Sequence, residues 1–211
     1  ALSPHSIYTA GENTLRKVIE LAADHNLFLH THLAETKKEV DDCLAQHKKT
    51  PAAYLDDLGF WSERCIAAHC IWLSDEDIEI LARNKVSIAV NSKSNLKLVS
   101  GFIPLKKCLA KKINITLATD GVASNNNLSL LEEMSITAKL HKALNNDPTF
   151  LPASHVVRLA TINAAKALGK GDLIGSLEVG KRADIIIIET ESIESLPMYN
   201  PYSQLVYNLS S

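Results

Sequence analysis

The sequence predicts a parallel α/β fold, and three observations carry the prediction. Four apolar runs of strand length alternate with helix-length segments. A crossover that long lets each run pair in parallel with the next. Each run also ends, at its carboxyl end, in a polar residue: His32, His69, Asn91 and Asp120. In a parallel sheet that edge carries the ligand site, whether the sheet is part of a closed barrel or open and doubly wound.

Taken in order, Ala1–Thr9 reads as a strand end running into a loop, as if the chain were entered mid-fold. Leu15, Val18, Ile19 and Ala22 recur at helical spacing and predict a helix over Thr14–Asn26. Leu27–His32 is the first apolar run. Side chains alternate along a strand, so His30 and His32 share a face, and Glu35 lies just past the strand end. Val40 and Leu44 predict a short helix over Lys37–Gln46, and Thr50–Leu58 is another, ended by Gly59. Arg64–Cys70 is the second run. Ser74 opens a helix with Asp75, Glu76 and Asp77 in its first turn, where acids are favourable, and it continues to Asn84.

Val86–Asn91 is the third run, Pro104–Lys112 a helix, and Asn114–Gly121 the fourth run. Leu128–Leu144 is a long helix. Ser154–Leu168 is a further one, with Val156, Val157, Leu159, Ala160, Ala164 and Ala165 mostly on one side. After Gly169 the character changes. Gly175 and Gly180 separate short apolar pieces, and Ala183–Glu189 is β-branched, which predicts the start of a separate β-rich layer. Residues 1–168 therefore read as the β/α unit and 169–211 as an incomplete β segment.

Composition narrows the function classes. A chain of 211 residues that is 46% hydrophobic can bury one sizeable core. A net charge of -2, with no basic stretch beyond the Lys106-Lys107 and Lys111-Lys112 pairs, argues against general nucleic-acid binding. No apolar run approaches a membrane span, and the first residues do not form a signal peptide. Cys43, Cys65, Cys70 and Cys108 make no C-x-x-C pair and are expected to be buried free thiols of a reducing compartment, the cytoplasm. No G-x-G-x-x-G or G-x-x-x-x-G-K turn follows a strand, so a nucleotide-phosphate cradle is not supported.

The chemistry sits at the strand ends. A histidine with a carboxylate close behind suits metal binding and proton transfer. Each residue also has an ordinary structural reading. A lone His69 can be a satisfied structural histidine, Asp120-Gly121 can be a turn, and His5 after Pro4 is uninformative by itself. His25, His47, His141 and His155 lie in polar helical contexts and are expected to be solvated. The combination shifts the balance, because in a barrel these ends converge on one mouth. Two imidazoles and a carboxylate meeting there can hold a metal and activate its water.

These residues carry a resemblance. Pro4-His5-Ser6, His32-Leu33-Ala34-Glu35-Thr36, Ala68-His69-Cys70, Ser94-Asn95-Leu96-Lys97-Leu98 after Asn91, Thr119-Asp120-Gly121, and Gly175 to Lys181 followed by Ala183-Asp184 occur in one order. The set resembles the amidohydrolase superfamily, in the branch of S-adenosylhomocysteine/5-methylthioadenosine deaminases and triazine chlorohydrolases. The resemblance implies a (β/α)8 metal-dependent hydrolase barrel, of which this chain carries strands five to eight, plus the start of a C-terminal β-sandwich segment.

It also implies roles. His32 and Asp120 would bind one divalent metal, zinc or iron, and Asp120 would take the proton from its water. Glu35 would hydrogen-bond a substrate ring nitrogen and shuttle protons. His69 would orient or polarise the attacking water without being a firm ligand, and His5 would contact the substrate. Asn91, Ser94 and Asn95 would brace the mouth. The implied activity is deamination of a purine-like N-heterocycle. Guanine deaminase, a triazine chlorohydrolase and a non-catalytic half-barrel are the alternatives.

The family's strand-one His-x-His pair also matches His30-Thr31-His32 in form. Only three further strands separate that pair from Asp120, too few for strand one, so His30 is placed one layer deeper, packed or hydrogen-bonded. Strands one to four are then outside the chain. Half a barrel leaves unpaired edges. The expected partner is the missing N-terminal half or a second copy in a homo-oligomer, and the fragment alone is expected to be inactive.

Overall fold

The computed structural model describes residues 1–190 and 195–209. Four strands form one parallel sheet: β1 (Leu29–Leu33), β2 (Cys65–His69), β3 (Ser87–Val90) and β4 (Ile115–Leu117). Their spatial order is their sequence order, β1-β2-β3-β4. A doubly wound sheet reverses order at a switch point. None occurs here, so successive right-handed crossovers put their helices on one face, as in a barrel wall. The register aligns His32 with Ala68, Ala68 with Ala89, and Ala89 with Thr116. Residues 2–5 run along the outer edge of β1, where Leu2 bridges Leu29 and the His5 carbonyl accepts from the His32 N–H at 3.0 Å.

The crossovers are α1 (Glu12–Asp24) ahead of β1, then α2 (Lys37–His47) and α3 (Pro51–Asp57), α4 (Asp75–Arg83), and α5 (Ser92–Lys97) with α6 (Leu105–Ala110). After β4 come α7 (Val122–Asn125), α8 (Leu130–Asn145), α9 (Ala153–Ala160) and α10 (Ile162–Ala167), and later α11 (Pro201–Tyr207). Ser74 caps α4 in a full capping box with Asp77, as the acid-rich start predicts. Leu33, Ile88 and Ile115 of the sheet and Leu15, Leu55, Leu81, Leu105 and Val156 of the helices are fully or almost fully buried in one core. The four cysteines are buried and free.

Several expectations are corrected. The single helix predicted over Ser154–Leu168 breaks at Thr161, whose backbone leaves helical geometry at φ −123, ψ −97. The Thr161 hydroxyl donates back to the Val157 carbonyl at 2.7 Å. The break lets Asn163 exchange hydrogen bonds with β4: its amide donates to the Ile115 carbonyl, and its carbonyl accepts from Asn114, both at 3.0 Å. Helix α5 was not expected, because its buried face is polar (Ser92, Ser94, Asn95) and shows no apolar period. His141 is buried on α8, not solvated, and burial pushes its imidazole down to about 4. His25, His47 and His155 are exposed.

The strand predicted at Ala183–Glu189 joins no ladder among the described residues, and Ile186 and Ile187 stay 79% and 95% exposed. β-branched residues favour extended backbone, but a ladder needs a partner strand. No helix among the described residues is long and apolar enough to cross a membrane.

Candidate metal centre

The polar strand ends meet at the carboxyl edge of the sheet. One ring nitrogen each from His32 and His69 and a carboxylate oxygen of Asp120 lie within 4.8 Å of one another. The two imidazoles stack, with ring centroids 5.3 Å apart. Simple alternation does not produce this. His32 is in register with Ala68, and Leu33 with His69, so within the ladder His69 belongs to the opposite face from His32. At His69 the strand leaves extended geometry, with φ 68, and the ring reaches His32. Asp120 also sits in the left-handed region, at φ 62. Such conformations carry a local energetic cost and concentrate at functional sites.

Hydrogen bonds set both histidine tautomers. His32 Nδ1 donates to the His5 carbonyl at 2.6 Å. His69 Nδ1 donates to Asn95 Oδ1 at 2.7 Å, and both residues are buried. Each partner is an acceptor only, so Nδ1 carries the hydrogen and Nε2 keeps its lone pair. Asp120 Oδ2 accepts from the Ser94 and Ser124 hydroxyls, each at 2.6 Å. Partial burial pushes the Asp120 carboxyl up, but the bonds from Ser124, Ser94 and the Gly121 amide outweigh it and hold the group below the ordinary carboxylate value. A carboxylate kept ionised beside two imidazole lone pairs is a donor set that zinc or iron accepts.

The remaining expected residues surround this cluster. Glu35 Oε2 lies 3.9 Å from His69 Nε2. The exposed His5 ring lies 4.4 Å from the His32 ring and bonds Ser6 and Thr9 through Nδ1. His30 is outside the cluster: its Nδ1 lies 3.4 Å from the Ser3 hydroxyl, and burial, then His32 and His69, lower its pKa.

Sequence reasoning missed three supports. Ser124 lies four residues past Asp120, where a loop serine gives no pattern signal. Glu39 is buried and accepts the Ala34 and Glu35 amides, each at 2.9 Å, which holds the turn that carries Glu35. Its signal was present: Thr36-x-x-Glu39 has capping-box spacing, although the carboxylate reaches past Thr36. Glu133 is fully buried on α8, and burial pushes it to about 7.

A parallel sheet with metal-competent side chains gathered at its carboxyl edge defines an α/β protein of the strand-end-site class. The family model described as "Amidohydrolase family" matches residues 1–210, and the chain belongs to that family. The chain is 47% identical over 206 residues to a 5-methylthioadenosine/S-adenosylhomocysteine deaminase of Thermoanaerobacter pseudethanolicus, covering 98% of this chain and 48% of the relative. It superposes at TM-score 0.96 and 40% identity on a zinc-bound adenosine deaminase from Xanthomonas campestris, covering 99% of this chain and 47% of that one. An atrazine chlorohydrolase from Arthrobacter aurescens, complexed with zinc, matches at TM-score 0.92 and 27% identity, covering 98% and 46%. The chain thus spans about half the length of the curated relatives it matches. Its parallel sheet with helical crossovers is the α/β fold of the amidohydrolase family.

Proposed function

We propose that the whole protein is a metal-dependent aminohydrolase that removes ammonia from the aminated ring of a purine-like N-heterocycle. The observation that carries the proposal is the convergence of His32, His69 and Asp120 within 4.8 Å of one another, with ring lone pairs directed inward. The names of the matched relative and neighbour support the substrate class. His32 and Asp120 would hold one divalent metal, zinc by analogy with the neighbours and iron as the other choice. When bound, the metal supplies Lewis acidity that brings the pKa of a water toward neutrality.

The residues of this chain do the proton work. Asp120 accepts a proton from the attacking water, and His69 orients that water. Glu35 donates a hydrogen bond, then a proton, to the ring nitrogen next to the reacting carbon. A C–O bond forms at the amino-bearing carbon, and the proton held by Asp120 passes to the amino nitrogen. The C–N bond breaks with its electron pair leaving on nitrogen as ammonia, and the proton of the new hydroxyl returns to Glu35 as the ring carbonyl forms. His5, at the open side of His32, contacts the substrate. Ala183–Glu189 would be the start of a β segment paired by parts that the relatives have beyond this span, which would cover Ile186 and Ile187, exposed here. The later stretch Pro201–Tyr207 is helix α11 and not part of it. Turnover requires the part of the barrel that the relatives have beyond this span. Four buried free cysteines suit a cytoplasmic location.

The chlorohydrolase neighbour favours a second reading in which chloride leaves from a triazine. In the full-length protein, adenosine derivatives and chlorinated triazines are assayed for ammonia and chloride. Ammonia release supports the first reading and chloride alone the second. His32→Ala is expected to lose zinc. Glu35→Gln is expected to keep zinc and lose most turnover. Near-normal turnover in Glu35→Gln refutes its proton role, and full zinc retention in His32→Ala refutes the metal site.

A further inference from the structure

The Glu133 carboxylate lies behind the candidate metal centre rather than in it. Its Oε2 accepts from the backbone N–H of Lys93, in the first turn of α5, at 3.3 Å. Its Oε1 accepts from Asn125 Nδ2, at the end of α7, at 2.8 Å. The same Asn125 nitrogen donates to the Thr119 carbonyl at 2.5 Å, one residue before Asp120. Next to Lys93 along α5, Ser94 bonds Asp120 and Asn95 bonds His69. Ser124, beside Asn125, bonds Asp120 from the other side. Asn125 Oδ1 is buried and without a partner in the structure, so the amide is oriented by its two acceptors alone. A buried hydroxyl pair, Ser92 with Thr137 at 2.7 Å, fixes α5 to α8 one turn further along.

We infer that Glu133 is a positioning residue that ties the loop after β3 to the loop after β4, so that Asp120 is held where it can share a metal with His32 and His69 is held beside them. This rests on the metal reading above. The energetic logic favours such a role. A fully buried carboxylate is costly unless its acceptors are filled, and here they are filled by one donor from each loop. An apolar residue would fill the same space but would leave both loops free to drift relative to each other. Outer partners of metal ligands ordinarily change metal affinity by about 10–100-fold. Acting at one further remove, Glu133 belongs at the lower end.

The test uses the full-length protein. Zinc affinity is read by chelator competition, ligand geometry by the visible spectrum of the cobalt(II)-loaded protein, and folding by metal-free melting. Glu133→Gln leaves one of the two donors facing an amide nitrogen. It is expected to weaken zinc about tenfold and to move the cobalt bands in the same direction as Asp120→Asn. Parental zinc affinity and cobalt spectrum in Glu133→Gln overturn the inference. If metal-free Glu133→Gln melts early, Asn125→Ser, which cuts the same link at its other end, is read instead with the same two outcomes. A parent that takes up no zinc overturns the metal reading and this inference with it. Weakening by Asp120→Asn but not by Glu133→Gln or Asn125→Ser overturns the inference alone.

Discussion

Glu39→Gln is a nearly isosteric change in which two effects oppose each other. The carboxylate is 4% exposed and accepts the Ala34 and Glu35 amides, each at 2.9 Å. Hydrogen bonds to a charged group contribute roughly 1.5–3 kcal/mol each. Glutamine presents one oxygen and one N–H2. One backbone donor therefore keeps a weaker, neutral bond, and the other faces a donor and is left unsatisfied, at about 1–3 kcal/mol. Against this, burial pushes Glu39 up despite the bonds from Ala34 and Glu35, so the neutral side chain escapes a desolvation penalty that the carboxylate bears.

The loss wins because glutamine adds a cost absent from the carboxylate's balance of burial against bonding: its N–H2 faces a buried backbone N–H and leaves that donor unsatisfied. The expected net loss is about 2 kcal/mol. Urea unfolding measures it, as a lower midpoint with unchanged slope. The same amides hold Ala34 at φ 49, so Glu35 also loosens its 3.9 Å approach to His69. A variant within about 0.5 kcal/mol of the parent, the range of ordinary surface substitutions, refutes the claim that Glu39 holds this turn.

Three further outcomes are expected. Asn95→Ala strips the acceptor from His69 Nδ1; histidine 15N NMR should show His69 leaving its single Nδ1–H tautomer, and an unchanged tautomer refutes the assignment. Gly175→Ala should destabilise by at least about 1–2 kcal/mol in thermal melts. Gly175 has φ 90, and an added Cβ meets the Ala165 side chain at 2.7 Å and the Ile162 backbone at 2.9 Å; an unshifted melt refutes this contact. The third outcome is a pH profile. Glu133 sits at about 7 in the fold against 4.5 ordinarily, so its contribution is fully present below pH 4.5 and is lost as pH rises to about 7. His141 sits at about 4 against 6.5, so its contribution is present above pH 6.5 and is lost as pH falls to about 4. Each is on the order of 3 kcal/mol, and their slopes oppose between pH 4.5 and 6.5. Glu133→Gln should therefore gain stability with pH across that window relative to the parent; parallel profiles refute the Glu133 shift.

Strand number and direction were legible in the sequence, because apolar runs and helix-length crossovers are local patterns with local causes. So was the gathering of chemistry at one edge: His32, His69 and Asp120 each close an apolar run, and parallel strands bring their carboxyl ends together. These patterns fitted a barrel wall and a doubly wound sheet alike, and the order β1-β2-β3-β4 came from the structure. Helix α5 escaped because its buried face is polar and bonds the ligands instead of the core. His141 looked solvated because its neighbours in sequence are polar, whereas its burial is set by what packs on α8. Ala183–Glu189 has strand chemistry but no partner among the described residues, and a propensity cannot supply one.

The sequence by itself determined which residues stand at the ends of the strands. Only the tertiary structure decided how they face one another. His69 lies in the ladder position opposite in face to His32, and a left-handed backbone at φ 68, held by its bond to Asn95, brings the two rings together. The alternation of side chains is a property of each strand alone. The departure from it depends on an asparagine twenty-six residues away, which meets His69 only after the chain has folded.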